Sequence, residues 1–381
     1  MNQKSQKIGL KRLNWRTYTM IFAFVLIAIL LEFITKGIFL APRNFSNLMR
    51  TMSITGVITV GAVLLIISGN FDLAVGSIVA LTGGIAAILH VDYGWGIIPV
   101  ILTSLACGAV IGVWQGFWVA YKKIPSFIVT LGGMMAFRGI YLALTNGITI
   151  TPLSESFQEI SAGFVPGIIG IMLGVTSIVA LAIYLFDKRA SRKRYGFSVE
   201  PMWMLALKLA LFAVLIAGFV WMMNSYNGIP YPVFVFIVLL LLFSFVATRT
   251  RFGRIVYAIG GNLEAARLSG INVRRNILYL YIITGVLSAI SGILLTSRLN
   301  GATSAAGNQY EMDVISSCVI GGTSLSGGKG TVFGALIGAL IIASLDNGMS
   351  LMNLTSSYQS IVKGLVLIFA VWFDVSSQAK S

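Results

Sequence analysis

Long apolar runs separated by short polar breaks make up most of this chain of 381 residues. Four runs contain no charged residue, and each is close to the roughly 20 residues that a membrane-spanning helix requires; they are 95–120, 164–186, 230–247 and 277–297. Similar runs occur at 18–34, 52–67, 124–144, 203–223, 331–345 and 360–373, and another ends near residue 90. We therefore predict an all-α polytopic membrane protein with about 10–12 transmembrane helices in a single domain, 18–374.

Gly-rich breaks interrupt this alternation at 68–77 and 300–308. The apolar run 314–320, which follows the second break, is too short to span a bilayer as a helix. We predict a broken or re-entrant helix there and count it as one crossing. Segment 41–50 is amphipathic, and we expect it to lie at the outer surface of the membrane.

The net charge of +15 is concentrated in the loops, which is typical of the positive-inside rule and not of a nucleic-acid groove. Of the 27 Lys and Arg residues, four fall outside and three within spans, namely Lys36, Arg43, Arg50 and Arg298, and then Arg138, Lys208 and Lys363. The others lie inside, which predicts cytoplasmic tails at 1–17 and 375–381, a basic cytoplasmic loop at 187–201 and a polar cytoplasmic segment at 249–276. Lys208 and Lys363 lie near helix ends, where we expect each ammonium group to snorkel to water.

The chain lacks the side chains that most enzymes use. Only 10% of its residues are charged and His90 is its only histidine, so neither a His-based triad nor a zinc site is indicated. The letters LSGGK at 325–329 match a short ATPase signature, but no phosphate-binding loop of the form G-x-x-x-x-G-K-[ST] is present. We expect no catalytic residue, no metal and no cofactor bound by this chain.

Glycines recur every four residues in two of the apolar runs, as Gly108, Gly112 and Gly116 and as Gly334 and Gly338. Small residues at this spacing let two helices approach closely. We expect this packing to occur within one subunit, in preference to a dimer contact.

Polar and aromatic residues at the breaks are candidates for a translocation pathway. Asp72 either caps the following helix or lines such a pathway, and the sequence leaves both open. Trp114 and Gln115 lie in an aromatic stretch that either stacks on a sugar or forms an interfacial belt. The full candidate set is Asn70, Phe71, Asp72, Ser77, Trp114, Gln115, Thr323, Ser324 and Asn347, with Glu311, Asp313 and Asp346 as weaker candidates.

Within the polar segment, Glu264-Ala265-Ala266-x-x-x-Gly270 resembles the EAA-x-x-x-G signature of ABC importer permeases. The resemblance implies a short cytoplasmic helix that sits in a cleft of a separate ATPase subunit. In that helix the alanines would pack closely, Glu264 and Arg267 would offer ion pairs, and Gly270 would end the helix.

Further motifs at 257–272, 71–77, 318–328 and 347–349 are similar to the monosaccharide permeases of the ribose/xylose/arabinose/galactose type. The similarity covers 44–374, and the insert 155–228 points to the xylose-type members. Ala74 stands where relatives commonly have Ser, so this position offers no hydroxyl group to a sugar.

The resemblance implies a permease subunit of the type II ABC importer fold, which translocates a monosaccharide, D-xylose in the first place, across the bacterial cytoplasmic (inner) membrane. It also implies a homodimer, a partner ATPase that uses ATP-Mg, and an extracytoplasmic sugar-binding protein. The alternative is a secondary transporter driven by an ion gradient, which would need acids or histidines within its spans.

Overall fold

The computed structural model describes residues 15–197, 199 and 201–378. The predicted tails therefore fall largely outside the described residues, at 1–14 and 379–381. The described chain is helical almost throughout. Its helices are α1 (Trp15–Ile34), α2 (Pro42–Ile67), α3 (Val75–Val91), α4 (Ile97–Ala120), α5 (Ser126–Thr145), α6 (Glu155–Ala162), α7 (Gly167–Arg194), α8 (Met202–Asn224), α9 (Tyr231–Arg249), α10 (Arg251–Gly261), α11 (Leu263–Leu268), α12 (Val273–Leu299), α13 (Tyr310–Ile320), α14 (Val332–Leu351) and α15 (Ser356–Gln378).

A two-residue antiparallel ribbon links the ends of the insert. Strand β1 (Phe164–Val165) pairs with β2 (Ile229–Pro230), with Phe164 opposite Pro230 and Val165 opposite Ile229. The ribbon holds the start of α7 beside the start of α9.

Eight of the described helices are long and apolar enough to cross a membrane. Three shorter apolar stretches accompany them, Thr19–Ile34, Val75–Val91 and Ser356–Trp372. Together with the short helix α13, they account for the membrane segments that the apolar runs predict, and the all-α polytopic class is confirmed.

Two boundaries differ from the prediction. Segment 41–50 is not a separate surface helix, because Pro42 starts α2 and no glycine or proline interrupts it before Gly56. Its apolar side chains Leu48 and Met49 are buried in the chain. The basic loop 187–201 is helical as far as Arg194, because α7 continues through its charged end.

Helix α12 lies at the centre of the bundle and contacts α2, α3 and α4. Its contact with α4 depends on the glycines that the sequence singled out. A Cβ atom on Gly112 would lie 2.5 Å from the Tyr281 carbonyl oxygen, and one on Gly108 would collide with the Gly285 carbonyl oxygen. The predicted close packing within one subunit is thus confirmed. Gly338 of α14 approaches the backbone of α13 at Ser317 in the same way.

We expect Gly112→Leu to destabilise the bundle, since its side chain would enter the backbone of α12. Overpacking of this kind costs about 1–3 kcal/mol, and more where backbone must move. The measurement is the apparent Tm of the purified protein in detergent. Gly132→Leu on α5 is the matched control, because a Cβ atom there meets nothing within 4 Å. Equal Tm values for the two variants would contradict the packing described above.

The half-length helix α13 and the coil before it cross the bundle together. The coil starts beside Ile150, to which Ala302 is bridged, and Gly307 then reaches the backbone of Gly76 at the start of α3. A helix of 11 residues rises only about 16 Å, so the coil supplies the rest of the crossing. The predicted broken helix is therefore present, and its break lies in the interior, against the break that precedes α3.

Candidate functional site

The polar segment 249–276 folds into two short helices and the first turn of a long one. Each helix begins at a side chain that caps it. Thr250 Oγ1 accepts a hydrogen bond from Gly253 N (3.2 Å) at the start of α10. Asn262 Oδ1 accepts from Glu264 N (3.0 Å) and Ala265 N (2.9 Å) at the start of α11, and Asn272 Oδ1 accepts from Arg275 N (3.0 Å) at the start of α12. Satisfied amide groups of this kind define a helix start, so the position of α11 follows from Asn262.

Helix α11 presents most of the predicted coupling residues to solvent. Glu264, Ala265, Arg267 and Gly270 are exposed, and the positive φ of 77° at Gly270 ends the turn. Ala266 differs, because it is buried within this chain and fastens α11 to the bundle.

Leu268 is a surface residue that the sequence reasoning missed. Its side chain is 87% exposed at the end of α11. A single exposed apolar side chain is common on protein surfaces, but the place of Leu268 on α11, beside Glu264 and Arg267, makes it available to a protein partner. The signal was available, since Leu268 is an apolar residue in a segment otherwise predicted to face water.

Helix α10 joins this surface to two Gly-rich breaks in the bundle, the break 68–77 before α3 and the loop 321–330 between α13 and α14. Gly260 packs directly on the Ile67 carbonyl oxygen at the end of α2. The same carbonyl oxygen accepts a hydrogen bond from Gly328 N (2.8 Å), and Tyr257 Oη donates to the Gly330 carbonyl oxygen (2.8 Å). Burial raises the pKa of Tyr257 further above its ordinary range, so the hydroxyl group stays a donor well above neutral pH. A displacement of α10 would therefore act on both breaks at once.

A cavity of about 1100 Å³ opens between these elements. Asn70 and Phe71 line it from the first break, and Lys123 lines it from the turn between α4 and α5. Arg267 and Arg274 contribute from the polar segment. Two pathway candidates and one coupling residue thus face the same space.

Asp72 and Gln115 form a buried pair behind the cavity. Asp72 Oδ1 accepts from Ala74 N (2.8 Å) and from Gln115 Nε2 (3.1 Å). The other carboxyl oxygen of Asp72, Oδ2, and the amide oxygen of Gln115, Oε1, are buried and take no hydrogen bond from the described chain. The carboxylate therefore holds the backbone at Ala74, the residue before α3, without capping the first turn of the helix, and keeps one acceptor free. A hydroxyl group can donate a hydrogen bond to an acceptor of this kind.

The remaining candidates do not gather at one point. Ser77 is buried in α3, and Thr323 and Ser324 are buried in the loop after α13. Asn347 lies at the opposite end of the bundle, where it exchanges hydrogen bonds with Asn44 (2.8 and 3.0 Å). Trp114 is 43% exposed on α4, with its ring against Phe137 and Trp118.

Lys363 is a residue for which the expectation from the sequence was wrong. Its ammonium group does not snorkel to water but bridges two acids on other helices. Lys363 Nζ lies 2.9 Å from Asp313 Oδ1 of α13 and 2.9 Å from Asp346 Oδ2 of α14. The three side chains are 17%, 9% and 28% exposed. Opposite charges within separate spans were the available signal, since such groups are retained in a membrane mainly as partners.

His90 has a structural position. Nδ1 lies 2.8 Å from the Trp95 carbonyl oxygen, and Nε2 lies 2.8 Å from Ser154 Oγ, which caps α6. In the described part of the chain, no three His, Cys, Asp or Glu side chains converge in a way that could hold a metal ion.

Known transport proteins are similar in sequence to this chain over nearly its whole length. The chain is 46% identical to the xylose transport system permease protein XylH of Escherichia coli K12, covering 98% of this chain and 95% of the relative. It is also 46% identical to the protein of the same name in Haemophilus influenzae, covering 97% and 99%. Identity to the ribose import permease protein RbsC of Bacillus subtilis is 34%, covering 94% and 92%. No solved structure matches the chain.

A family described as the permease component of the branched-chain amino acid transport system matches residues 44–371. This match includes most of α2, all of α3 to α14, the polar segment and the Gly-rich breaks 68–77, 300–308 and 321–330. The chain is a multi-pass membrane protein that belongs to this family of transport-system permease components.

Proposed function

We propose that the chain is the membrane permease subunit of an ATP-driven importer that carries D-xylose into the cell. It is a transport subunit, and ATP is hydrolysed by a separate ATPase. Two relatives named as xylose permeases share 46% identity over nearly the full chain, against 34% for a ribose permease, which supports xylose over ribose.

The contact of α10 with both breaks carries the proposal. An ATPase bound to α11 would push on a surface that is tied to Ile67 and Gly330 through Gly260 and Tyr257. Nucleotide-driven closure of the ATPase would in this way change the position of the breaks that hold Asp72 and Thr323. Two alternative positions of the breaks would supply alternating access.

The assembly that this requires is also part of the proposal. The ATPase binds the side of the bundle that bears 249–276, which lies in the cytoplasm together with both chain ends. A sugar-binding protein docks at the opposite side, near Asn44 and Asn347, and two copies of the chain form the pore. The side assignment rests on the positive-inside rule.

Uptake of labelled sugar tests the function. In a strain that lacks its own xylose permease, expression of this chain with its ATPase and binding protein should restore xylose uptake and not ribose uptake. The rate of xylose uptake should be unchanged by a protonophore as long as the ATP concentration is maintained. Loss of uptake on collapse of the ion gradient alone would favour the secondary transporter, and restoration of ribose uptake alone would overturn the sugar assignment.

We expect Asp72→Asn to lower xylose uptake about tenfold at an unchanged amount of protein in the membrane. The amide oxygen can still accept from Ala74 N, so the support of α3 remains. A hydrogen bond to a charged group is worth about 1.5–3 kcal/mol, and 1.4 kcal/mol is a factor of ten. Initial uptake rates provide the measurement.

Asp92→Asn, at the other end of α3, is the matched control for this change. Its uptake should equal that of the unchanged protein. A normal rate in Asp72→Asn would limit the role of Asp72 to its hydrogen bond with Ala74 N before α3.

A further inference from the structure

The adjacent ends of α7 and α8 enclose a small pocket lined with cations. The pocket has a volume of about 150 Å³. Its available cations are Lys188, Arg189 and Arg192 of α7; Lys208 of α8 also lines it but has a partner of its own, and aliphatic side chains such as Leu185 and Leu205 form the rest. No acidic side chain of the described chain lines it. The pocket therefore suits an anion that also has an apolar part.

Arg189 distinguishes this pocket from an ordinary basic loop. Its Nη1 atom is buried and donates no hydrogen bond to the described chain. No described carboxylate forms an ion pair with Lys188, Arg189 or Arg192. The positive-inside rule explains basic residues that face water, but it does not explain a guanidinium donor enclosed without an acceptor. Buried donors of this kind normally have a partner.

The pocket lies where the lipid-facing surface of the helices ends. Ile183 and Phe186 of α7 are 57% and 43% exposed, and Leu207 of α8 is 62% exposed. The basic side chains begin immediately after this apolar surface, and basic residues at the end of a spanning helix meet the lipid headgroups. Guanidinium groups bind phosphate oxygens with two parallel hydrogen bonds, and lysine adds a point charge.

We propose that the pocket between the ends of α7 and α8 binds the phosphate headgroup of an anionic phospholipid. Arg189 and Arg192 hold the phosphodiester oxygens, Lys188 adds charge at the rim, and the acyl chains lie along the apolar faces of both helices. Basic pockets between helices at the cytoplasmic side are a known form of lipid site.

The site is connected to the rest of the bundle through Tyr184. Lys188 Nζ lies 5.8 Å from the centre of the Tyr184 ring, and Arg249 Nη2 donates to Tyr184 Oη (3.2 Å). Arg249 is the last residue of α9. A bound headgroup would hold the end of α7 in place against α9, and would therefore stabilise the folded chain as a whole.

Native mass spectrometry and thermal unfolding of the full-length purified chain in a neutral detergent test the proposal. Phosphatidylglycerol and cardiolipin should bind and raise the apparent Tm by several degrees, and phosphatidylcholine should not. Arg189→Gln with Arg192→Gln should weaken phosphatidylglycerol binding at least tenfold. Arg189→Lys, which keeps the charge but loses the two parallel donors, should have an intermediate effect.

Lys122→Gln with Lys123→Gln is the matched control, because it removes two charges from another loop on the same side. If both double variants lose lipid equally, binding is diffuse electrostatics and the site does not exist. If inorganic phosphate at millimolar concentration raises the Tm as much as the lipid does, the ligand is a free anion and the lipid assignment is overturned. Each double variant is compared with its own lipid-free Tm, so that a folding defect is not read as a loss of binding.

Discussion

Glu264→Arg should abolish ATP-driven xylose uptake while the amount of the chain in the membrane stays unchanged. Glu264 is exposed and makes no ion pair within the described chain, so the bundle does not depend on it. Its carboxylate lies in the first turn of α11, where a negative charge also favours the helix. Reversal of the charge places a cation against whichever basic group of the ATPase receives it. The measurement combines initial uptake rates with quantification of the chain in isolated membranes.

A second variant on α11 separates docking from coupling. Leu268→Asp should prevent the ATPase from co-purifying, since an exposed apolar anchor at an interface is worth about 2 kcal/mol or more, a loss of roughly 30-fold in affinity. Asp187→Arg is the control for Glu264→Arg. It also replaces an acid with arginine, but it lies near the end of α7, outside the polar segment. Normal uptake in Glu264→Arg, together with normal ATPase recovery in Leu268→Asp, would contradict the assignment of α11 as the coupling helix.

Lys363→Met should lower the apparent Tm by about 5–10 °C. The change leaves Asp313 and Asp346 without their cation, and removal of one partner from a buried ion pair costs about 3–5 kcal/mol. Because the three side chains come from three different helices, the loss should loosen α15 from α13 and α14. Thermal unfolding of the purified protein in detergent provides the measurement.

The triple variant Lys363→Met, Asp313→Asn, Asp346→Asn tests the cause of that loss. It removes all three charges and should recover much of the stability, since replacement of a whole buried ionic cluster is often close to neutral. Lys122→Met, at an exposed position, is the control for loss of a lysine as such. A Tm for Lys363→Met equal to that of the control would show that Lys363 is solvated and that the original expectation of snorkelling was correct.

Lys363 is half-buried and Asp72 is buried, and the surroundings of each depend on other helices. Sequence indicated that both were charged groups at the edge of apolar runs, and both expectations were local: snorkelling for the first, a cap or a pathway for the second. The partners that decide the matter are distant in sequence: Asp313 and Asp346 lie 50 and 17 residues from Lys363, and Gln115 lies 43 residues from Asp72. No periodicity within one helix contains that information.

The apolar runs, the basic loops and the EAA motif by themselves determined the class of the protein, the approximate positions of its spans and the exposure of Glu264 and Arg267 on a polar segment. These are properties of single segments, because the length of a span, the charge of a loop and the capping of a helix depend on neighbouring residues alone. The tertiary structure decided which face of each helix is buried, which acids share Lys363, and that Gly260 rests on Ile67. Helices that are apolar on every side carry no stripe that marks their inner face, so only the packed bundle could show it.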